Sequence, residues 1–415
     1  MSSRLPSGSA LRVLGQRNFG IYFLGSSLSN VGTWFQNIAA GLLVYQLTGS
    51  TLLVGAVNFA QFLGAFLLAP VAGVAADRFD RRRLLMASQV GAATVGGVLA
   101  ILTLTGTVTA GVVVVAAAGL GLALAFMVPA LLALVPLLVE PDDLDAALSL
   151  NSVTFNLARA VGPVLGALVV ERAGFGVAFA LNALSFVAFV AALTLVRPRP
   201  QQRASGPRPR LRTTIRRVRG VPVWTALLVA VMAVSTSTDP INTLTPELAH
   251  VVFGGGDLDV GLLVAAFGTG ATLTALTLLG WLRRRRNALV GAMVVQGVGM
   301  AAVAVAPSLP WAMAALAVSG GGFLAAVTRS TVRLQSEVPP EELGRVMALW
   351  SLAFVGTRPF AALLDGSVAE VFGARWAAVV MALPVLLAAG FVHRRLSAAD
   401  AQPTASGGAG SAEAR

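Results

Sequence analysis

Twelve stretches of this chain are long and apolar enough to cross a bilayer, and no water-soluble fold can bury that many. A hydrocarbon core about 30 Å thick requires roughly 20 mostly apolar residues per helical crossing. The stretches run over 19–46, 51–76, 84–105, 108–138, 143–171, 175–196, 222–250, 258–282, 288–306, 310–336, 342–369 and 374–395. Only 12% of the 415 residues are charged, half the roughly 25% of an ordinary soluble domain. Backbone polar groups find no partner in hydrocarbon, so runs of this length are expected to be helices.

Every one of the 30 basic residues is an arginine, and their placement sets the expected topology. Twenty-four fall in segments on one side of the twelve spans: Arg4, Arg12, Arg17, Arg78, Arg81 to Arg83, nine from Arg197 to Arg219, Arg283 to Arg286, Arg345, Arg394, Arg395 and Arg415. Only Arg172 and Arg375 fall on the other. Positive charge stays cytoplasmic, so both termini are expected inside and the number of spans is even. The polar first residues are followed by an apolar run longer than a signal-peptide core, and no cleavable leader is expected. The domain plan is a cytoplasmic N-terminus (1–18), a first six-helix bundle (19–196), a basic cytoplasmic loop (197–221), a second bundle (222–396) and a disordered cytoplasmic tail (397–415). The loop is expected to lie on anionic lipid.

Several chemistries are excluded. There is no cysteine, hence no disulfide, thiolate metal site or cysteine nucleophile. The two histidines, His250 and His393, lie far apart in sequence, which speaks against an imidazole metal site. The net charge of +12 interrupts membrane-length runs instead of striping a soluble domain, so nucleic acid is not an expected partner. No cluster of acids, histidines or a nucleophile gathers at one membrane depth, and an enzyme is not expected. No segment is long enough to add the soluble domain usual in a membrane sensor or scaffold.

The halves repeat. Residues 141–163, PDDLDAALSLNSVTFNLARAVGP, resemble residues 340–360, PEELGRVMALWSLAFVGTRPF, at an offset of 199. That offset pairs Leu144 with Leu343, Phe155 with Phe354 and Arg159 with Arg358. Duplication of a six-helix unit is one route to a transporter fold.

Between the second and third spans stands Gly73-Val-Ala-Ala-Asp77-Arg78-Phe-Asp80-Arg81-Arg82-Arg83. It resembles the G-x-x-x-D-R/K-x-G-R-R/K signature of the major facilitator superfamily, with Asp80 where that pattern has Gly. In the fifth span Gly162-Pro163-Val-Leu-Gly166 resembles the superfamily's antiporter motif, whose flanking glycines are alanine here. Together with NSVTFNLARAVGP and LGRVMALWSL, these place the resemblance in the branch of enterobactin-type siderophore exporters and macrolide efflux proteins. It implies an all-α integral membrane fold, twelve transmembrane helices in two pseudo-symmetric six-helix bundles. It also implies that Gly73, Asp77, Arg78, Arg81 and Arg82 gate the cytoplasmic side. Gly73 would let two helices approach closely, and Asp77 would face a helix N-terminus of the other half. Gly162, Pro163 and Gly166 would seal the cavity against proton leak. In the second half Gly280-Trp281-Leu282-Arg283 keeps the charge of the signature without its acid.

Four arginines lie inside apolar stretches. Arg159 is about 21 Å along a helix from Asp145, and Arg358 about 20 Å from Arg345, so both reach deep into the core. Intramembrane charge is costly and by default functional. Arg159, Arg358 and Arg329 are candidates for attracting an anionic or oxygen-rich substrate, the alternative being that each clamps carbonyls or polar side chains between the halves. Arg333 can snorkel and pair with Glu337 at i+4. Asn30, Thr33 and Asn37 recur at helical spacing in a polar first span and are further substrate candidates, or else helix-to-helix hydrogen-bonding groups. Asp239 is the candidate proton-coupling acid, since a buried carboxyl can be tuned to titrate near neutral pH; Asp239-Pro240 equally reads as a helix cap. Asp365 is placed near the outer surface. The expected protein is a secondary active transporter in a bacterial cytoplasmic membrane, acting as a monomer without cofactor or metal. It would export a small amphipathic organic molecule such as a drug, siderophore or secondary metabolite, driven by the proton gradient. An importer or facilitator on the same fold is the alternative.

Overall fold

A computed structural model of the chain describes residues 9–200, 211–277 and 288–400. The Arg283–Arg286 turn, the Gly280-Trp281 remnant, most of the expected tail and the middle of the basic loop lie outside these residues. So does the side chain of Asp77.

The first half comprises a short α1 (Ala10–Gly15), then α2 (Arg17–Thr48), α3 (Thr51–Arg78), α4 (Arg81–Leu104), α5 (Ala110–Leu134), α6 (Leu144–Ala173) and α7 (Phe175–Leu195). An amphipathic α8 (Leu211–Arg219) stands where the sequence suggested only loop. The second half follows as α9 (Pro222–Thr236), α10 (Pro240–Thr243), α11 (Thr245–Glu247), a π turn over Leu248–Val252, α12 (Asp257–Thr277), α13 (Ala288–Ala304), α14 (Leu309–Glu337), α15 (Pro340–Val355), α16 (Arg358–Phe372) and α17 (Ala374–Asp400). Ten helical segments among the described residues are long and apolar enough to cross a membrane. The other two expected spans correspond to α2 and α13. Thirty-two residues make α2 about 48 Å long, but its polar residues lower its hydropathy; α13 is apolar with 17 residues.

Helix ends follow local chemistry. Gly49 takes φ 66° and closes α2, a left-handed conformation that a Cβ would strain. Ser50 then caps α3 by accepting from Leu53 N, and Asp80 caps α4 by accepting from Arg83 N at 2.7 Å. The duplication is visible in the backbone: Gly174, between α6 and α7, has φ 84°, and Gly373, 199 residues on between α16 and α17, has φ 85°. It fails in one place. The helix α6 is continuous through Arg159, whereas its counterpart is broken at Gly356–Thr357 into α15 and α16.

The halves meet along two helix pairs, α6 with α12 and α3 with α16. Small residues permit this approach. A Cβ on Gly268 would sit 3.0 Å from Ala160 Cα, and one on Gly366 2.8 Å from Leu52 Cα. Polar contacts between the halves gather at the arginine-poor end. Gln46 Nε2 donates to both oxygens of Asp257 (3.3 and 3.2 Å), and Thr51 Oγ1 donates to Glu247 Oε2 (2.5 Å). Glu370 Oε2 accepts from Ser50 Oγ and Leu52 N (3.0 and 3.2 Å), a carboxylate at the N-terminus of α3, where helix dipole and free N–H groups favour it. Asn58 Nδ2 reaches Thr243 Oγ1 at 3.2 Å.

Candidate functional site

Two helix breaks in the second half face each other. The α9 helix stops at Thr236 and the chain restarts at Pro240; the second break is Gly356–Thr357. Both restarts have the same local grammar, a charged residue directly before proline: Asp239-Pro240 and Arg358-Pro359. Proline lacks the N–H that a first turn leaves unused anyway. Carbonyls freed at the first break are recovered by side chains. Gln296, buried in α13, donates through Nε2 to Val234 O (2.9 Å) and Thr238 Oγ1 (3.0 Å). Ser237 Oγ accepts from Val385 N beside Pro384. Ser235 Oγ donates to Phe354 O, tying one break to the other.

The charges meet across the gap. Arg358 Nε lies 3.6 Å from Asp239 Oδ1, with the aspartate side chain fully buried and the arginine 20% exposed. This overturns the cap reading of Asp239: it occupies the position before Pro240, but its side chain caps nothing. Arg358 begins α16, where the helix dipole disfavours a cation, so the aspartate offsets both burial and dipole. The guanidinium also lies 4.2 Å over the Phe62 ring of α3, a cation–π contact with the first half. Seven residues along α16 from Arg358, Asp365 is fully buried, and neither of its oxygens has a hydrogen-bond partner. The sequence placed it near an outer surface; the structure buries it completely.

Arg159 crosses the interface in the opposite sense. It projects from α6 to lie between two rings of the second half, 5.0 Å from the Phe267 centroid and 4.9 Å from that of Phe323. The alternative to substrate attraction was a clamp on carbonyls or polar side chains; the contacts Arg159 makes across the interface are with aromatic rings. The row continues through Phe354, 6.4 Å from Phe323, to Trp350, stacked 5.2 Å from Phe354 at 7°. Arg329 is partly buried on α14, six residues beyond Phe323, and Arg333 pairs with Glu337 at 3.3 Å.

Asn30, Thr33 and Asn37 are partly buried on α2. Thr33 Oγ1 donates to its own helix at Ser29 O, and Asn37 Oδ1 accepts from Gln61 Nε2 (3.2 Å). Gly162 and Gly166 bring α6 onto α2, where a Cβ would sit 2.6 Å from Trp34 Cβ and 3.0 Å from Phe35 Cα. The opposite face of α6, at Pro163 and Ala167, abuts Gly261 of α12.

The residues of the gating signature lie at the arginine-rich end. Arg81 Nη1 donates to Ala133 O (3.0 Å), and Arg82 donates to Leu193 O (2.6 Å) and Thr194 O (2.8 Å). Each thus satisfies terminal carbonyls of a neighbouring helix in its own half. Arg78 is exposed. The expected close approach at Gly73 is absent: a Cβ there would meet nothing within 4 Å. The tight crossings of α3 instead use Gly55 against Ala362 and Gly64 against Gly121.

Sequence reasoning missed the acids at the arginine-poor end, Glu247, Asp257 and Glu370, and the aromatic partners Phe62, Phe267 and Phe323. Pro359 beside a deep arginine was the available signal for the second break.

The fold has well-defined relatives among solved structures. A bacterial homolog of the human lysosomal transporter Spinster superposes with a TM-score of 0.77 at 12% identity, over 92% of this chain and 97% of that one. A bacterial homologue of the iron transporter ferroportin gives 0.69 at 18% identity, over 92% and 99%. In sequence, the chain is 28% identical over 396 residues to the enterobactin exporter EntS of Salmonella choleraesuis, covering 91% of this chain and 93% of that protein. It is 22% identical over 366 residues to macrolide efflux protein A of Streptococcus pyogenes, covering 86% and 90%. Residues 8–408 match the family described as transmembrane secretion effector. With ten membrane-length apolar helices among the described residues and this match over nearly its whole length, the chain belongs to the transmembrane secretion effector family of the major facilitator superfamily.

Proposed function

We propose that this membrane transporter is a proton-driven exporter of a small amphipathic organic molecule in a bacterial cytoplasmic membrane, working by alternating access. The arginine-rich end is cytoplasmic. The observation that carries the reading is the buried Asp239–Arg358 pair between two helix breaks. While Asp239 is ionised the pair is neutral and tolerates burial. A proton on Asp239 cancels one partner and leaves Arg358 buried without its counter-ion. Breaking such a pair costs roughly 3–5 kcal/mol, enough to shift a two-state equilibrium by about two to nearly four orders of magnitude. The shift favours whichever arrangement lets Arg358 reach water or an oxygen-rich substrate.

Substrate contact is assigned to groups on both halves: Arg358 and Arg159 for anionic or carbonyl oxygens, Phe62, Phe267, Phe323 and Trp350 for apolar rings, and Asn30, Thr33 and Asn37 from α2. Export is favoured over import by the two relatives, whose names describe an exporter and an efflux protein. The Gly162-Pro163-Gly166 stretch supports it, because it holds α6 tightly between α2 and α12.

The test uses everted vesicles energised to accumulate protons, with a catecholate siderophore and a macrolide as first cargoes. Wild-type protein is expected to accumulate one of them and to lose accumulation when the gradient is collapsed. Asp239→Asn should abolish gradient-driven accumulation while counterflow exchange persists. Full driven transport by Asp239→Asn would refute the coupling assignment; accumulation only in right-side-out vesicles would refute export.

A further inference from the structure

A second charged feature is lined by residues of the first half and the segment that leaves it. At the arginine-rich end of the first half, two adjacent cavities of about 330 and 340 Å³ share a wall of Leu137, Arg197 and Arg199. The first adds Arg17, Asn18 and Glu140; the second adds Asp80, Arg81 and Arg82. Five arginines thus face two acids.

The segment carrying Arg197 and Arg199 is held through its backbone, by bonds that do not use the side chains of Arg17, Arg197 or Arg199, while Arg81 and Arg82 are engaged with helix-end carbonyls. Asn18 holds both polar backbone groups of residue 197, donating to Arg197 O (3.0 Å) and accepting from Arg197 N (3.1 Å). Arg199 N donates to Leu137 O at 3.0 Å. The segment after α7 is therefore folded back under the helix ends, and its arginines are held out over the cavities. Arg197 and Arg199 are exposed. Arg199 pairs with Glu140 at 2.6 Å, but both partners are open to solvent, where such a pair contributes about 0–1 kcal/mol.

The surroundings are those of a membrane interface. Leu195, 57% exposed, lines the first cavity and ends an exposed apolar stripe on α7 formed by Leu181, Leu184, Val187 and Ala191. The short α1, which packs on α2 and α6, buries Val13 and leaves Leu11 exposed. A ligand matching this geometry has two phosphates at the cavities and acyl chains along α7.

We propose that the two cavities form one binding site for an anionic phospholipid with a diphosphate headgroup, a cardiolipin-type lipid. Basic pockets between transmembrane helices favour such headgroups. Each phosphate takes one cavity, Arg197 and Arg199 bridge them, and the Leu181–Leu195 stripe carries the acyl chains. The site is independent of transport direction and of the Asp239–Arg358 pair.

The experiment measures lipid retention by purified full-length protein in detergent, by native mass spectrometry, with tetraoleoyl cardiolipin, dioleoylphosphatidylcholine and inorganic pyrophosphate as probes. Wild-type protein should retain cardiolipin and not phosphatidylcholine, and pyrophosphate at equal concentration should not displace it. Each arginine near an anionic headgroup is worth roughly a fivefold change in affinity, so Arg17→Gln/Arg197→Gln/Arg199→Gln should bind cardiolipin on the order of a hundredfold more weakly. The backbone bonds that hold the segment survive these changes, and an unchanged melting temperature in lipid-free detergent checks this. Arg394→Gln/Arg395→Gln, at the end of α17, removes charge elsewhere and should retain lipid as wild type does. Equal weakening by both variants would reduce the site to diffuse attraction and overturn the proposal. So would unchanged binding by the triple variant, or displacement by pyrophosphate.

Discussion

The Asp239–Arg358 pair makes an asymmetric prediction about stability. At 3.6 Å and an effective dielectric constant near 20, two unit charges attract by about 4–5 kcal/mol. That agrees with the roughly 3–5 kcal/mol lost when one partner of a buried pair is removed. The two single substitutions are not equivalent. Asp239→Asn leaves a guanidinium that cannot shed its proton, at the N-terminus of α16 where the dipole opposes it, so close to the full cost is expected. Arg358→Gln leaves a carboxyl that can neutralise itself by taking up a proton, so the loss should be smaller, about 1–2 kcal/mol. Asp239→Asn/Arg358→Gln leaves no charge uncompensated and should be more stable than Asp239→Asn alone. The six tryptophans report unfolding in detergent by intrinsic fluorescence. Asp239→Asn should lower the midpoint by roughly 3–6 °C and the double variant should recover at least half of that. If Arg358→Gln proved the more damaging change, or the double variant lost the sum of the singles, the two groups would not be acting as a pair.

Other outcomes follow from the packing. Gly162→Ala places a methyl 2.6 Å from Trp34 Cβ and should cost about 1–3 kcal/mol by overpacking, read as a lower melting temperature. Gly73→Ala meets nothing within 4 Å and should leave the melting temperature unchanged or raise it slightly, yet slow transport if the cytoplasmic gate closes over Gly73; unimpaired transport would sink that gating role. Arg159→Lys should weaken the hold on Phe267 and Phe323 by about 1 kcal/mol, with Phe323→Leu giving a loss that is not additive with it in a double-variant melting comparison. Because the chain lacks cysteine, single cysteines at Phe79 and Thr107 can be labelled cleanly by an impermeant maleimide in intact cells: only the Thr107 position should react.

The fold was legible because it depends on run length and charge asymmetry. Twelve apolar runs and a 24-to-2 arginine split need no contact information, and the Gly174/Gly373 pair bears out the duplication that the 199-residue offset suggested. The site was legible in part. Arg159, Arg358 and Asp239 stand out as ionisable groups in apolar sequence, but their partners do not. Phe62, Phe267 and Phe323 are three phenylalanines among 20, and nothing local separates a ring beneath a guanidinium from one facing lipid. Gly73 shows the converse: a signature glycine suggested close packing in general, whereas the packing depends on which ends of the halves are in contact. The split of the eleventh span was encoded by Pro359 but masked by an apolar run that reads continuously across Gly356.

The two breaks explain why the charge pair and the closed end of the protein belong to one device. The segment after the first break runs from Asp239 through Pro240 to Glu247, and Glu247 accepts from Thr51 Oγ1 and Ala374 N. The segment after the second break, α16, runs from Arg358 to Phe372, and its Glu370 accepts from Ser50 and Leu52. Each segment therefore carries one member of the buried pair at its inner end and one carboxylate of the closure at its outer end. Along α16 these ends are twelve residues apart, about 18 Å, and a helix of that length moves as a rod. A helix unbroken at Gly356 would tie Arg358 to the body of α15 and pass any change at the pair into the whole half. The break confines it to a short lever whose far end grips the first turn of α3. On the proposed coupling, separation of Asp239 from Arg358 would act through α16 on the Glu370 contacts at the arginine-poor end, and Asp365 is buried midway along that helix.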